Sequence, residues 1–481
     1  MLIPTNTLGS ITEWQSGREW GAADLVAQGC RTAEHLKSIG VRRGHNVILW
    51  HGGTGQFFGD LIGIWKLGAC AVCLNPSTTR EEIERIIKFV DAAAVMDSGA
   101  QRLDLELGTA ILDSSLFKDS GVNALGHSQL DDNAVILFTS GTTGTPKGVV
   151  HSFRSLLARI SLNQLHLPHN VLRRTLSVLP THFGHGLIGN CLTPLLGGHP
   201  LVLAPATNLD VTANLGDIID TYNITFMSSV PTFWKKTLRS ATPPKKGSLR
   251  QVHVGSAPLS SDLWHDIAKW SGTRNILNMY GITETANWIA GASLTKAGAE
   301  DGLVGSMWCG KAAVLTNGGE IDTHGIGELL VQSPSLMKGY FELPEETNNV
   351  LRNGWFHTGD IGNIDPNGII RLTGRKKYEI NRGGIKVHPE DIDLLLERHE
   401  TIEEACCFAL PDELEGEVVG VAVVTNTNSD VTIKDLRRWC AERLAREKIP
   451  SRWFIVEDIP KTDRGKTNRD TVAKYCVKLQ A

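Results

Sequence analysis

Ten consecutive residues, Thr139 to Gly148, contain four threonines, one serine, three glycines, a proline and Lys147 (T-S-G-T-T-G-T-P-K-G). This is the chemistry of an oxyanion cradle. Glycines let backbone N–H groups come close to a phosphate. Hydroxyls add short donors, and Lys147 adds positive charge. A polar surface loop can have the same composition. The apolar run Ala134–Phe138 directly in front separates the two readings. A run of that kind bounded by turn residues is a buried strand of a parallel sheet, and ligands gather at the carboxyl ends of such strands. The loop is not a Walker A sequence, because Gly-Lys-Ser/Thr is missing. Gly465-Lys466-Thr467 has that ending, but Pro460 stands where the first glycine belongs.

With Leu137-Phe138 in front, this loop resembles the phosphate loop of the AMP-forming adenylation superfamily. Acyl-CoA synthetases, peptide-synthetase adenylation domains and beetle luciferases belong to it. The resemblance places Thr139, Ser140, Gly141, Thr142, Thr143, Gly144 and Lys147 around the nucleotide. Further motifs follow in the family's order. Gly255-Ser256-Ala257-Pro258-Leu259 is similar to the turn between acyl pocket and nucleotide. Asn278 and Met279 lead into Tyr280-Gly281-Ile282-Thr283-Glu284, which resembles Y-G-x-T-E. There the aromatic stacks beside adenine, the threonine touches the α-phosphate and the glutamate helps hold magnesium, a hard cation that takes oxygen ligands.

Trp355-Phe356-His357-Thr358-Gly359-Asp360 is similar to W-x-x-T-G-D. The resemblance gives Asp360 the two ribose hydroxyls, which suits the two acceptor oxygens of a carboxylate. Gly374-Arg375-Lys376-Lys377 resembles the family's hinge, with Arg375 at the ribose and Lys377 at the hinge position. The segment Ile380–Glu390 resembles the one that approaches pantetheine, which implicates Gly383 and Gly384. Ile459–Lys466 resembles P-K-T-x-x-G-K and makes Lys466 the catalytic cation, with Thr283 and Glu284. Lys461 comes too early in that motif. Two departures stand outside this machinery: His45 follows Gly44 where Asp is common, and Phe153 stands where a second histidine is common after His151.

Leu179–Gly186 resembles the segment carrying the gating aromatic, with Phe183 the best match and His182 the near alternative. No Asp stands there to meet an ammonium group, which disfavours an α-amino acid. Gly184, Gly186 and Gly189 are expected to leave volume for an apolar acid. Asn287 and Trp288 are expected to line the same pocket. His185 reads equally as a pocket residue or an ordinary buried histidine.

The elements that must hold these residues alternate. Helices are expected over 21–39, 55–67 and 81–90, with strands Val47–Trp50, Ala69–Leu74 and Ala92–Met96 between them. Further short strands are expected at Thr175–Leu179, Leu201–Leu203, Ile224–Met227, Gln251–Val254 and Ile276–Met279. From Gly325 the pattern turns short and β-like. Together these predict an α/β fold with parallel-sheet subdomains and a small barrel-like or antiparallel subdomain. A large N-terminal domain over 1–374 and a small mobile α+β domain over 375–481 are expected.

The 481 residues are 41% hydrophobic and 21% charged with net charge −4, so no basic field points to nucleic acid. The nine cysteines are scattered and odd in number. Cys70-x-x-Cys73 lies in an apolar run, which favours core thiols over zinc, and a reducing cytoplasm fits. The N-terminus has no signal-peptide pattern, and no stretch approaches the ~18 apolar residues of a membrane helix.

The resemblance implies an enzyme using ATP, Mg2+ and coenzyme A. It would form an acyl-AMP from a non-amino, apolar aliphatic or aromatic carboxylate and pass the acyl group to the CoA thiol. The C-terminal domain would rotate about Lys377 between the two steps. The runner-up is a stand-alone adenylation enzyme that loads a separate carrier protein. A non-enzymatic nucleotide-binding relative is the reading of a different class. A homodimer remains open.

Overall fold

The computed structural model describes residues 2, 7–97, 109–118, 128–139, 147–205, 209–383, 385–426, 431–462 and 466–480. Ser140, Gly141, Thr142, Thr143, Gly144 and Gly384 lie outside the described residues. Three sheets carry the rest. In the first, the largely buried strands Asn133–Thr139, Cys70–Cys73, Asn46–Leu49 and Ala92–Asp97 and the half-buried edge strand Ala110–Asp113 run parallel. Lys147–Ser152 returns antiparallel beside Asn133–Thr139 as a hairpin, with Thr139 and Lys147 opposite each other at the sheet's carboxyl end.

Helices cover this sheet for reasons visible in the chain. Arg80–Phe89 starts at a reciprocal cap in which Thr79 and Glu82 satisfy each other's backbone N–H, and it buries Ile83 and Ile87 on one face. Ala22–Ser38 and Gly55–Lys66 pack closely because Gly29, Gly59 and Gly63 have no room for a side chain: a Cβ on Gly63 would meet the Gly29 carbonyl at 2.7 Å.

The second sheet has a parallel half formed by Ile11–Glu13, Leu201–Leu203, Thr175–Ser177, Phe226–Ser229, Gln251–Gly255 and Ile276–Gly281. It then continues antiparallel through Trp288–Ser293, Leu303–Met307, Ile370–Arg375, Trp355–Ile364, Gly325–Gln332 and Lys311–Leu315. The antiparallel region thus starts near Trp288, well before Gly325. Trp288–Ser293 (W-I-A-G-A-S) has no polar alternation, because it is buried along most of its length.

The third sheet pairs Ile402–Asp412 with Gly416–Thr425, flanked by Ile380–Arg382, Ile385–Val387 and Arg452–Ile455. One short turn, Lys376–Tyr378, lies between the last strand of the second sheet and the first of the third. Ion pairs Lys235–Glu397 (2.8 Å), Arg239–Glu403 (3.0 Å) and Arg398–Asp301 join the third-sheet unit to the larger body. No described helix is long and apolar enough to cross a membrane.

Candidate active site

A cavity of about 1600 Å³ opens where the two larger sheets present their carboxyl ends to the third-sheet unit. Thr139 and Lys147 line it from the hairpin, Ser256 and Ala257 from the end of Gln251–Gly255, and Asn278, Met279, Tyr280 and Gly281 from the next strand. Thr283, Glu284, Asp360, Arg375 and Lys377 also line it, and Lys466 reaches it from the C-terminal unit. Thr139, Lys147 and the tail residue Lys466 therefore flank one space. Gly383 does not line it; its backbone N–H donates to the Glu415 carbonyl at 2.7 Å.

Asp360 and Arg375 stand directly opposite each other in adjacent antiparallel strands. Arg375 Nε meets Asp360 Oδ1 at 2.7 Å, and the Tyr280 hydroxyl donates to Oδ2 at 2.6 Å. Burial and the adjacent carboxylate raise the Tyr280 pKa well above that of a free phenol, so the hydroxyl stays a donor. Each Asp360 oxygen keeps one further acceptor position. The buried carboxylate is held rigidly, ready to accept from a diol.

Thr283, Glu284 and Thr285 form one tight turn, and its backbone is clamped from outside. His151 Nε2 donates to the Thr283 carbonyl at 2.7 Å, and the Met337 N–H donates to the Glu284 carbonyl at 2.8 Å. Burial pushes the His151 pKa down to about 4, so the ring is neutral and Nε2 carries its hydrogen. Glu284 Oε1 accepts from the Tyr340 hydroxyl at 2.8 Å, and Lys147 Nζ sits 5.1 Å from the centre of the same Tyr340 ring. Tyr340 thus ties the lysine of the hairpin to the glutamate of the turn. It comes from the short strand Gly339–Tyr340, which pairs with Val149–Val150. Sequence reading singled out neither Tyr340 nor any role for His151. A K-G-Y followed by a proline-started helix was the available signal for the former.

Glu284 suits a magnesium ion. It is a hard oxygen donor facing the cavity, and Tyr340 engages only one of its oxygens. Among the described residues no cluster of three His, Cys, Asp or Glu stands together. An ion here would take its remaining ligands from phosphates and water, as magnesium does.

The acyl-pocket candidates divide. His182 lines the cavity; Phe183, His185, Gly186, Asn287 and Trp288 are buried and outside its lining, as is Gly255. The three glycines do not leave free volume. A Cβ on Gly184 would meet the Ala286 carbonyl at 2.5 Å, on Gly186 the Pro180 carbonyl at 2.0 Å, and on Gly189 the Asn287 amide nitrogen at 1.8 Å. Each of these glycines is thus required by close packing against the Ala286 carbonyl, the Pro180 carbonyl or the Asn287 side chain.

Polar groups stand at the inner wall instead. Ser256 Oγ lies 2.8 Å from His185 Nδ1, and His185 Nε2 lies 2.7 Å from Ser228 Oγ. Ser256 is held at a φ of 69°, an uncommon conformation for a non-glycine residue. Burial, with a smaller contribution from Lys466, lowers the His185 pKa to about 3, so the ring is a neutral relay.

The AMP-binding enzyme family model matches residues 10–341, and the AMP-binding enzyme C-terminal domain model matches residues 391–466. The chain belongs to the AMP-binding enzyme family. Oxalate–CoA ligase of Arabidopsis thaliana is 31% identical over 472 residues, covering 92% of this chain and 91% of that protein. Malonate–CoA ligase of the same plant is 27% identical, covering 94% of this chain and 81% of that one. ATP-bound MatB from Rhodopseudomonas palustris superposes with a TM-score of 0.88 at 25% identity, covering 99% of this chain and 97% of that one. The matched segments contain Lys147, Glu284 and Lys466.

Proposed function

We propose that this family member is an AMP-forming carboxylate–CoA ligase that activates a short, polar acid bearing a second oxygen-rich group, a small dicarboxylic acid above all. The Ser256–His185–Ser228 relay carries this reading. With the His185 hydrogen on Nδ1, Ser228 donates to Nε2, and Ser256 keeps its own hydrogen for the cavity. A carboxylate oxygen selects that arrangement. Relatives that act on oxalate and malonate agree with this reading.

In the first half-reaction the acid's carboxylate attacks the α-phosphate of ATP, giving acyl-AMP and pyrophosphate. Asp360 and Tyr280 orient the nucleoside. Lys147, Thr139 and Lys466 supply cationic and hydroxyl donors where charge builds. Thr283 would touch the α-phosphate, and Glu284 would help hold a magnesium ion, which supplies charge neutralisation of the phosphates when bound. In the second half-reaction the CoA thiol attacks the acyl carbon and AMP leaves. For this the unit beyond residue 374 turns about Lys377, withdraws Lys466 and brings the Gly383–Gly384 segment forward. The exposed ion pairs at the lobe boundary are individually weak, about 0–1 kcal/mol each, which suits a unit that must change pose.

The test is a carboxylic-acid panel read by pyrophosphate release, followed by AMP release with CoA and with carrier proteins. Two- to four-carbon dicarboxylic acids should lead. Strong preference for long apolar acids would overturn the substrate reading, and transfer only to a carrier protein would overturn the CoA reading.

A further inference from the structure

Arg159, on the helix Phe153–His166, is fully buried, yet among the described residues it pairs with no carboxylate. A buried cation without a counter-charge is costly to keep. Burial lowers its pKa to about 10, still high enough to leave it charged at neutral pH. Among the described residues its Nη1 has no hydrogen-bond partner. A residue selected for stability alone would be better replaced by an apolar one of similar volume.

Its bonds show what it does. Nε and Nη2 both donate to Ser335 Oγ, at 3.2 and 2.9 Å, and Nη2 also reaches Ser333 Oγ at 3.3 Å. The Ser335 hydroxyl, which also lies 2.9 Å from Ser333 Oγ, accepts from the guanidinium and has its own hydrogen to give. It donates to the Thr285 carbonyl at 3.0 Å. Three successive carbonyls of the turn are thereby fixed from outside: Thr283 by His151, Glu284 by the Met337 N–H and Thr285 by Ser335. The next residue, Ala286, sits at a φ of 67°, so the turn ends in a strained conformation that these bonds must hold.

We infer that Arg159 is a positioning residue for adenylation, acting through Ser335 to fix the Thr283–Glu284 turn that meets the phosphates and the metal ion. This rests on the role proposed above for Glu284. The geometry sets the Glu284 carboxylate within the cavity, and a displaced turn costs rate even when every catalytic group is present.

The experiment compares Arg159→Met, Arg159→Lys, Ser335→Ala and the Arg159→Met/Ser335→Ala double variant with wild type and with Glu284→Gln. Readouts are acid-dependent ATP–pyrophosphate exchange, its Mg2+ dependence, the KM for the acid and the melting temperature. Arg159→Met should lower exchange kcat by about tenfold or more and raise the half-saturating Mg2+ concentration several-fold. The acid KM should stay within about twofold, and the melting temperature should hold or rise. Arg159→Lys should recover part of the loss, and the double variant should be no worse than the poorer single one, because both act through one bond. Exchange within about twofold of wild type in Arg159→Met, while Glu284→Gln fails, would overturn this inference alone. Full exchange in Glu284→Gln would overturn the reading beneath it. A loss that tracks a fall in melting temperature, or that appears only in the acid KM, would also overturn the inference.

Discussion

Tyr280 and Asp360, 80 residues apart in sequence, share a 2.6 Å hydrogen bond, and Arg375 takes the other carboxylate oxygen at 2.7 Å. Three motifs from three strands thus converge on one buried acid. Tyr280→Phe removes a donor to a charged group, worth about 1.5–3 kcal/mol. It should raise the KM for ATP by about tenfold with little change in the acid KM, and Asp360→Asn should cost more. Steady-state kinetics against each substrate checks this; an unchanged ATP KM in Tyr280→Phe would remove the pair from the nucleotide site.

The Ser256–His185 contact predicts specificity. Ser256→Ala and His185→Phe should each lower kcat/KM for short dicarboxylic acids by about tenfold or more while leaving ATP affinity nearly untouched. Competition between a dicarboxylic acid and the matching monocarboxylic acid measures it directly. Equal losses on both acids would assign the pair a purely structural role.

Buried neutral histidines predict the acid limit of stability. Burial lowers the pKa of His151 to about 4, of His185 to about 3 and of His253 well below its ordinary value. Once unfolded, each binds a proton below about pH 6.5. The unfolded state therefore holds more protons between about pH 6.5 and pH 4, and stability falls as pH falls through that window. Each histidine contributes up to about 1.4 kcal/mol per pH unit. Denaturant midpoints at pH 7, 6 and 5 should decline steadily; a flat series would contradict the buried, neutral assignment.

The boundary ion pairs predict a split between half-reactions. Lys235→Ala with Arg239→Ala removes two contacts that hold the C-terminal unit in its present pose. Adenylation should slow several-fold while thioester formation from supplied acyl-AMP stays equal or quickens, and rising salt should reproduce the effect in wild type. Equal slowing of both steps would show that the pairs do not discriminate between poses.

Much of the cavity wall was legible because its chemistry is local in sequence. Thr139, Lys147, Glu284, Asp360 and Arg375 each sit in a short motif that ends or crosses a strand, so motif order alone brings them to one place. What escaped depends on contacts across the fold. Tyr340 acts on Glu284 from 56 residues away, and Ser335 reaches Arg159 over 176, with no pattern linking either pair in the chain. Gly184, Gly186 and Gly189 were expected to open a pocket, because glycine removes a side chain. Whether that space stays empty is decided by what packs against it, here Ala286, Pro180 and Asn287. The antiparallel strand Trp288–Ser293 was hidden for a related reason: burial along most of its length erased the alternation that marks a strand.

The central claim is that Lys466 shares one site with the 139–148 hairpin and serves only the first half-reaction. Lys466→Ala should be measured in both halves: acyl-AMP formation from acid and ATP, and thioester formation from supplied acyl-AMP and CoA. Acyl-AMP formation is expected to fall by about a hundredfold or more, with thioester formation within a few-fold of wild type. Equal losses in the two halves, or none in the first, would contradict the account.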